Sequence, residues 1–202
     1  MASGERKLVW HIGHHKTGST SIQNTLAAGG VDVHGKTVLY TSAQHNYLVQ
    51  HFRDWAARGV VRAGANIRPG LGKTAEILAE SDFDLAIFSG ENFEGANASD
   101  FRRMLEEFFL PHVSELQIVV YIRPHAARIR SSFAENVKLG SFDGTVAEFY
   151  ASFRRRIRYT ERLAPWQDEF EDALTVRPMV RERLRGGSAV EDFMSTALGP
   201  DV

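Results

Sequence analysis

The chain predicts an α/β fold of three layers, a mainly parallel sheet with helices on both faces. Two observations carry that expectation. Short apolar runs recur along it: "KLVWHI" at 7–12, "DLAIFS" at 84–89 and "LQIVVYI" at 116–122. They do not alternate in polarity, which is the pattern of strands covered on both faces. Between them lie stretches with helical spacing, and strands alternating with helices build a parallel sheet. Two weaker runs, 37–40 and 173–178, are candidate further strands. The 202 residues fit a single domain, 1–202, and a hydrophobic fraction of 43% is enough to fill its core.

Each helical stretch has its own signal. Residues 19–26 come after the first apolar run and its loop. In 99–112, Phe101, Leu105, Phe108 and Phe109 fall on one face, and Ser99 is the candidate N-cap. Residues 126–137 read as a helix. So do 146–170, with a break expected near Pro165, which lacks the N–H that a helix interior uses. The last, 188–199, has Ser188 as its cap and Gly199 as its stop.

Bulk composition narrows the partners. A net charge of -1 gives no basic field for nucleic acid. The absence of cysteine removes disulfides, thiolate zinc sites and a cysteine nucleophile. No run approaches the ~20 apolar residues of a membrane span, and the first residues lack the apolar centre of a signal peptide. The expectation is a cytoplasmic protein with no nucleic-acid partner. The eight histidines show no metal-ligand spacing.

Ligands of parallel sheets bind beyond the carboxyl ends of the strands. After the first run comes "HIGHHKTGST", 11–20. Gly13 and Gly18 keep the Gly-x-x-x-x-Gly spacing of a nucleotide phosphate loop, but Ser19 stands in the lysine position and the lysine is Lys16, inside the loop. Glycine backbone, the charge of Lys16 and a helix opening on Ser19, Thr20 and Ser21 together specify an anion. Gly90 and Glu91 come after the second run, and Arg123 after the third. A magnesium-dependent nucleotide hydrolase would place an Asp at such a strand end. Arg123 attracts a second anion instead, and Ser131, eight residues on, converges on it as a hydroxyl donor. The reading is a ligand with two anionic groups and no metal requirement.

"HKTGSTSIQ" and "IRPHAARIRSS" resemble the 5′-phosphosulfate loop and the 3′-phosphate motif of sulfotransferases that use 3′-phosphoadenosine 5′-phosphosulfate (PAPS). The chain also resembles bacterial sulfotransferase-like proteins that open on a comparable "HIGHHKTG". The resemblance continues more weakly through "FSGENF" and "VRPMVRERLRGGSAVEDF". It implies a P-loop NTPase-like fold and transfer of a sulfuryl group from PAPS to a hydroxyl or amine of a small-molecule or glycan acceptor. The product would be 3′-phosphoadenosine 5′-phosphate (PAP). It assigns Lys16, Thr17, Gly18, Ser19 and Thr20 to the phosphosulfate, and Arg123 and Ser131 to the 3′-phosphate. Lys16 would also act catalytically, stabilising the bridging oxygen as it departs. The Gly- and basic-rich lid of many family members has its nearest counterpart in "RLRGG", 183–187.

The acceptor proton needs a base. Glu91 is the first candidate, because it lies just past a buried strand. His45, after the weak second strand, is the other. His14 and His15 could touch the sulfuryl group, and His11 is read as structural. The basic run 154–158 reads as a solvated face, and Arg177, after the last strand, as a candidate acceptor or cofactor contact. Two other classes stay open: a magnesium-dependent P-loop kinase of a small molecule, and a non-catalytic PAPS- or PAP-binding protein.

Overall fold

The computed structural model describes residues 6–29, 35–42, 44–58 and 70–199. Among these residues five parallel strands form one sheet: β1 (Lys7–His11), β2 (Val38–Leu39), β3 (Leu85–Ser89), β4 (Glu115–Ile122) and β5 (Leu174–Pro178). Their order is β2-β3-β1-β4-β5, so the strand that leads into the glycine loop is central. All five expected runs are strands. The register sets His11 opposite Ser89 of β3 and Val119 of β4. The segments after β1, β3 and β4 therefore leave the sheet along one edge.

The lack of polarity alternation has its explanation in the core. Leu8 and Trp10 of β1 point to one face, where Trp10 meets Phe88, Phe93, Phe101 and Phe109 edge-on, with centroids 5.0 to 5.4 Å apart. Such T-shaped pairs add to the burial of the rings. Val9 points to the other face, among Ile22, Ile87, Val119, Tyr121 and Phe193. The first face is covered by α2 (Asn46–Arg58), α3 (Leu71–Glu80), α4 (Ala98–Phe108) and α7 (Tyr159–Phe170). The second is covered by α1 (Ser19–Ala27) and α8 (Ala189–Leu198). The result is the expected α/β arrangement with helices on both sides. On α5 (His125–Lys138) rests α6 (Val146–Phe153), through a separate cluster of Phe149, Phe153 and Ile157 against Ile129, Phe133 and Phe142.

Several expectations are corrected. The cap of α4 is Asn97, whose side chain accepts from the Asp100 N–H at 3.0 Å, while the Ser99 hydroxyl donates to Glu169 of α7. Asn97 sits in extended backbone directly before the first turn, where an Asx side chain reaches the free N–H groups. The break in 146–170 falls at Arg154–Ile157 and Arg158, and Pro165 lies inside α7. The chain bends where its apolar face changes partner: Phe149, Phe153 and Ile157 serve the small cluster, Trp166 and Phe170 the main core. Pro165 stays in the helix at the loss of one backbone bond, to the carbonyl four residues before it. The helices α2 and α3 were not among the expected elements. Among the described residues no helix is long and apolar enough to cross a membrane.

Candidate functional site

From β1 the chain runs on beside β4, with the Ile12 N–H donating to the Val119 carbonyl at 3.0 Å and that of His14 to the Tyr121 carbonyl at 3.3 Å. It then turns at Gly13, with φ of 85°. A Cβ at Gly13 would stand 2.8 Å from Glu91 Cα and 2.9 Å from the Glu91 carbonyl oxygen, so the glycine loop and the turn after β3 touch backbone to backbone. Gly90 has a similar part, since a Cβ there would stand 3.0 Å from the Phe93 ring. Lys16 has φ of 67°, in a region that residues with a Cβ rarely occupy. Gly18, at φ of 78°, is the N-cap of α1 and gives it no side-chain cap, and the first turn of α1 holds no acidic residue. The opening N–H groups of a helix have no partner within it, so this end carries uncompensated positive potential.

These features border a cavity of about 380 Å³ lined by His15, Lys16, Gly18, Ser19, Thr20, Glu91 and Glu135. The Ser19 side chain is buried, and among the described residues its hydroxyl has no hydrogen-bond partner. The Lys16 ammonium pairs with the Glu135 carboxylate of α5. His15 Nδ1 lies 2.9 Å from Glu91 Oε2, and this hydrogen bond raises the His15 pKa above its ordinary 6.5 against the opposing effect of burial. Lys16, Gly18, Ser19, Thr20 and Glu91, all singled out by the sequence, thus meet at one cavity.

The other expected residues have different placements. Thr17 is buried, and its hydroxyl donates to the His14 carbonyl, bracing the loop from within. Arg123 directs Nη1 to the Lys16 carbonyl at 3.1 Å, and its own carbonyl accepts from the Tyr159 hydroxyl at 2.9 Å. Ser131 is half-buried on α5, one turn before Glu135. Neither Arg123 nor Ser131 lines the cavity. Arg177 is engaged with Asp192, which is buried and also accepts from the Tyr121 hydroxyl at 2.7 Å and the Arg185 N–H at 3.1 Å. The side chains Arg154, Arg155, Arg156 and Arg158 are exposed, as a solvated face should be.

His45 is not brought to the cavity. It is fully buried; its Nδ1 accepts from the Ser89 N–H at 3.1 Å, and its Nε2 lies 3.1 Å from the Thr41 hydroxyl. With Nδ1 accepting, Nε2 carries the proton, and the neutral ring has no lone pair to offer an acceptor. Burial lowers its pKa to about 3. His45 joins the start of α2 to the end of β3. His11 is structural, as expected: it is buried, with Nδ1 2.8 Å from the Ser89 hydroxyl, and burial lowers its pKa to about 4.

Sequence reasoning missed the group that holds the loop from below. The Glu94 carboxylate accepts the His15 N–H at 3.0 Å and lies 3.1 Å from His14 Nδ1, 3.5 Å from Arg128 and 3.8 Å from Arg162. Burial alone would raise the Glu94 pKa; the His14 and His15 hydrogen bonds and the Arg128 charge outweigh it and bring the value to about 2. Its members come from the turn after β3, the loop, α5 and α7, so no local spacing announces them. Among the described residues no three His, Asp or Glu side chains are grouped to hold a metal ion. Comparison with known protein families and with curated proteins finds no match.

Proposed function

We propose that the protein is a sulfotransferase that moves a sulfuryl group from PAPS to a hydroxyl or amine acceptor. The carrying observation is Ser19: a buried hydroxyl without a partner, at the uncapped N-terminus of a helix, beside Lys16. Buried polar groups are satisfied as a rule, and each exception calls for a ligand or another reason. An anion at the head of α1 would satisfy the hydroxyl, the free N–H groups and the lysine together. The position of the loop strand at the centre of a parallel sheet supports the P-loop NTPase-like reading of the fold.

In this reading PAPS supplies the sulfuryl group and leaves as PAP. Ser19, Thr20 and the head of α1 hold the phosphosulfate in line for displacement. Lys16 reaches the bridging oxygen and stabilises the charge that grows on it as its bond to sulfur breaks. Glu91, paired with His15, takes the acceptor proton as the new bond to sulfur forms. Arg123 and Ser131, next to the loop and to Glu135, supply the 3′-phosphate contacts. No Asp stands directly after β3 or β4, which disfavours the magnesium-dependent kinase. Calorimetric titration in the absence of magnesium tests the reading against the kinase, and PAP formation from PAPS in the presence of an acceptor tests it against the non-catalytic binding protein. PAP is expected to bind at least about tenfold more tightly than adenosine monophosphate, the scale of one charged hydrogen bond of about 1.5–3 kcal/mol. Equal affinity ends the 3′-phosphate assignment, and adenosine triphosphate binding only with magnesium would favour the kinase.

A further inference from the structure

We propose that the acceptor is cationic, an amino sugar or amino alcohol whose ammonium group is held by Glu135. The inference rests on the sulfotransferase reading and goes on to the class of substrate. It comes from the charges that line the cavity. Among the described residues Lys16 is the one Lys or Arg that lines it, against two carboxylates, Glu91 and Glu135. Glu91 is occupied by His15, and Glu135 by Lys16. Arg123 reaches the Lys16 carbonyl, and Lys138, further along α5, does not line the cavity.

Binding of the donor changes this balance. Lys16 is the loop's own cation, and the phosphosulfate draws it toward the head of α1. Glu135, on α5, then loses its partner and faces the sulfuryl group as a second negative charge. The Glu135 side chain is 42% exposed and that of Lys16 32%, so a solute can take the place that the ammonium leaves. A replacement cation has to arrive with that solute, because among the described residues the lining holds no other Lys or Arg and its one histidine, His15, is paired with Glu91. An ammonium group set there answers Glu135 and the sulfuryl group at once. An anionic glycan would add its charge to both carboxylates and to the donor, the like-charge contact by which sites reject partners. The unpartnered Ser19 hydroxyl, buried in the same cavity, is the separate sign that this space takes a ligand. Its volume, about 380 Å³, is in the small-ligand range.

The reacting atom is a hydroxyl next to the ammonium. Its oxygen forms the new bond to sulfur, and the bond between sulfur and the bridging oxygen breaks. The electron pair leaves with PAP, and the hydroxyl proton passes to the Glu91–His15 pair. The ammonium keeps its charge throughout and serves for recognition.

Glucosamine and glucose are suitable probes, since they differ in the one group at issue. Each is titrated into the PAP-saturated protein, and each is then offered with PAPS while PAP formation is followed. Glucosamine is expected to be favoured at least about tenfold in both measurements, the scale of one charge-assisted contact. Glu135→Gln should bring the two sugars within about threefold, and it should bind PAP as tightly as the parent or more so, because it removes an anion that competes for Lys16. Indifference of the parent protein to the ammonium overturns the proposal, as does failure to bind glucosamine or a preference that survives Glu135→Gln. A Glu135→Gln chain that no longer binds PAP is replaced by Glu135→Asp, which should keep the preference in weakened form; its complete retention or complete loss counts against the assignment. PAP that does not bind the parent overturns the sulfotransferase reading, and this proposal with it.

Discussion

At the scale of single residues, the site is a set of paired charges in which each pair leaves one function open. His15 and Glu91 show this most directly. The Glu91 hydrogen bond raises the His15 pKa above 6.5, with burial working against it. A raised pKa means that the pair keeps its proton to a higher pH than a free imidazole. Only its deprotonated form can accept from the substrate, so sulfuryl transfer should fall as pH drops through that raised value. Glu91→Gln removes the carboxylate and with it the largest cause of the shift, leaving only the weaker pull of Glu94. It should slow transfer by about a hundred- to ten-thousand-fold, the range of general-base catalysis, and move the acid limb of the remaining activity toward lower pH. PAP formation followed across pH reads both effects. A parent-like rate in Glu91→Gln removes Glu91 from catalysis, and an unmoved acid limb removes the pair as the titrating unit.

At the scale of elements, the loop and the turn after β3 form one unit through Gly13. Its φ of 85° is costly for a residue with a Cβ, and that Cβ would stand 2.8 Å from the backbone of Glu91. Gly140 separates the two effects, since it has φ of 66° and nothing within 4 Å. Gly140→Ala should lose about 1–2 kcal/mol, the left-handed backbone cost alone. Gly13→Ala should lose about 2–5 kcal/mol, because overpacking against main chain is added, and it should weaken PAP binding. Urea unfolding of both variants checks the difference, and equal losses would mean that the Glu91 contact yields freely. The same elements show what was legible in the sequence. The strands could be read because both of their faces are buried, and the loop because glycine and lysine at that spacing have few other uses. The helix α2 went unread although Leu48, Phe52 and Trp55 have helical spacing and share the core face. In contrast, α3 begins after Gly70 with no side-chain cap and has Gly72 in its first turn, so it lacks a start signal. The Glu94 group and the placement of His45 needed the fold itself, since their partners lie far apart in the chain.

At the scale of the whole molecule, the loop and the core share a dependence on neutral histidine. Burial lowers the pKa of His11 to about 4, of His45 to about 3, and of His14 below 6.5 in spite of Glu94. For a lowered pKa the unfolded chain binds the proton first. These residues therefore leave stability intact above about 6.5 and remove it as pH falls from there. At pH about 5, His11 and His45 should each cost on the order of 2 kcal/mol, a large share of a total near 5–15 kcal/mol. Glu94 adds a second loss below about 4.5, because its carboxylate is held ionised down to about 2. His15 works in the opposite direction with its raised pKa, but its side chain is 45% exposed and solvent screens the effect. Urea unfolding at neutral pH and at pH about 5 should show the midpoint falling with acid, and His45→Gln should flatten that dependence although it starts from a lower stability. A stability that stays level across this window would mean that the buried rings take up protons as readily as they do in the unfolded chain. The acid limb of activity should respond to Glu91→Gln more than this loss of stability does, because His15 bonds to Glu91 directly, whereas burial is the largest cause of the lowered values at His11, His14 and His45.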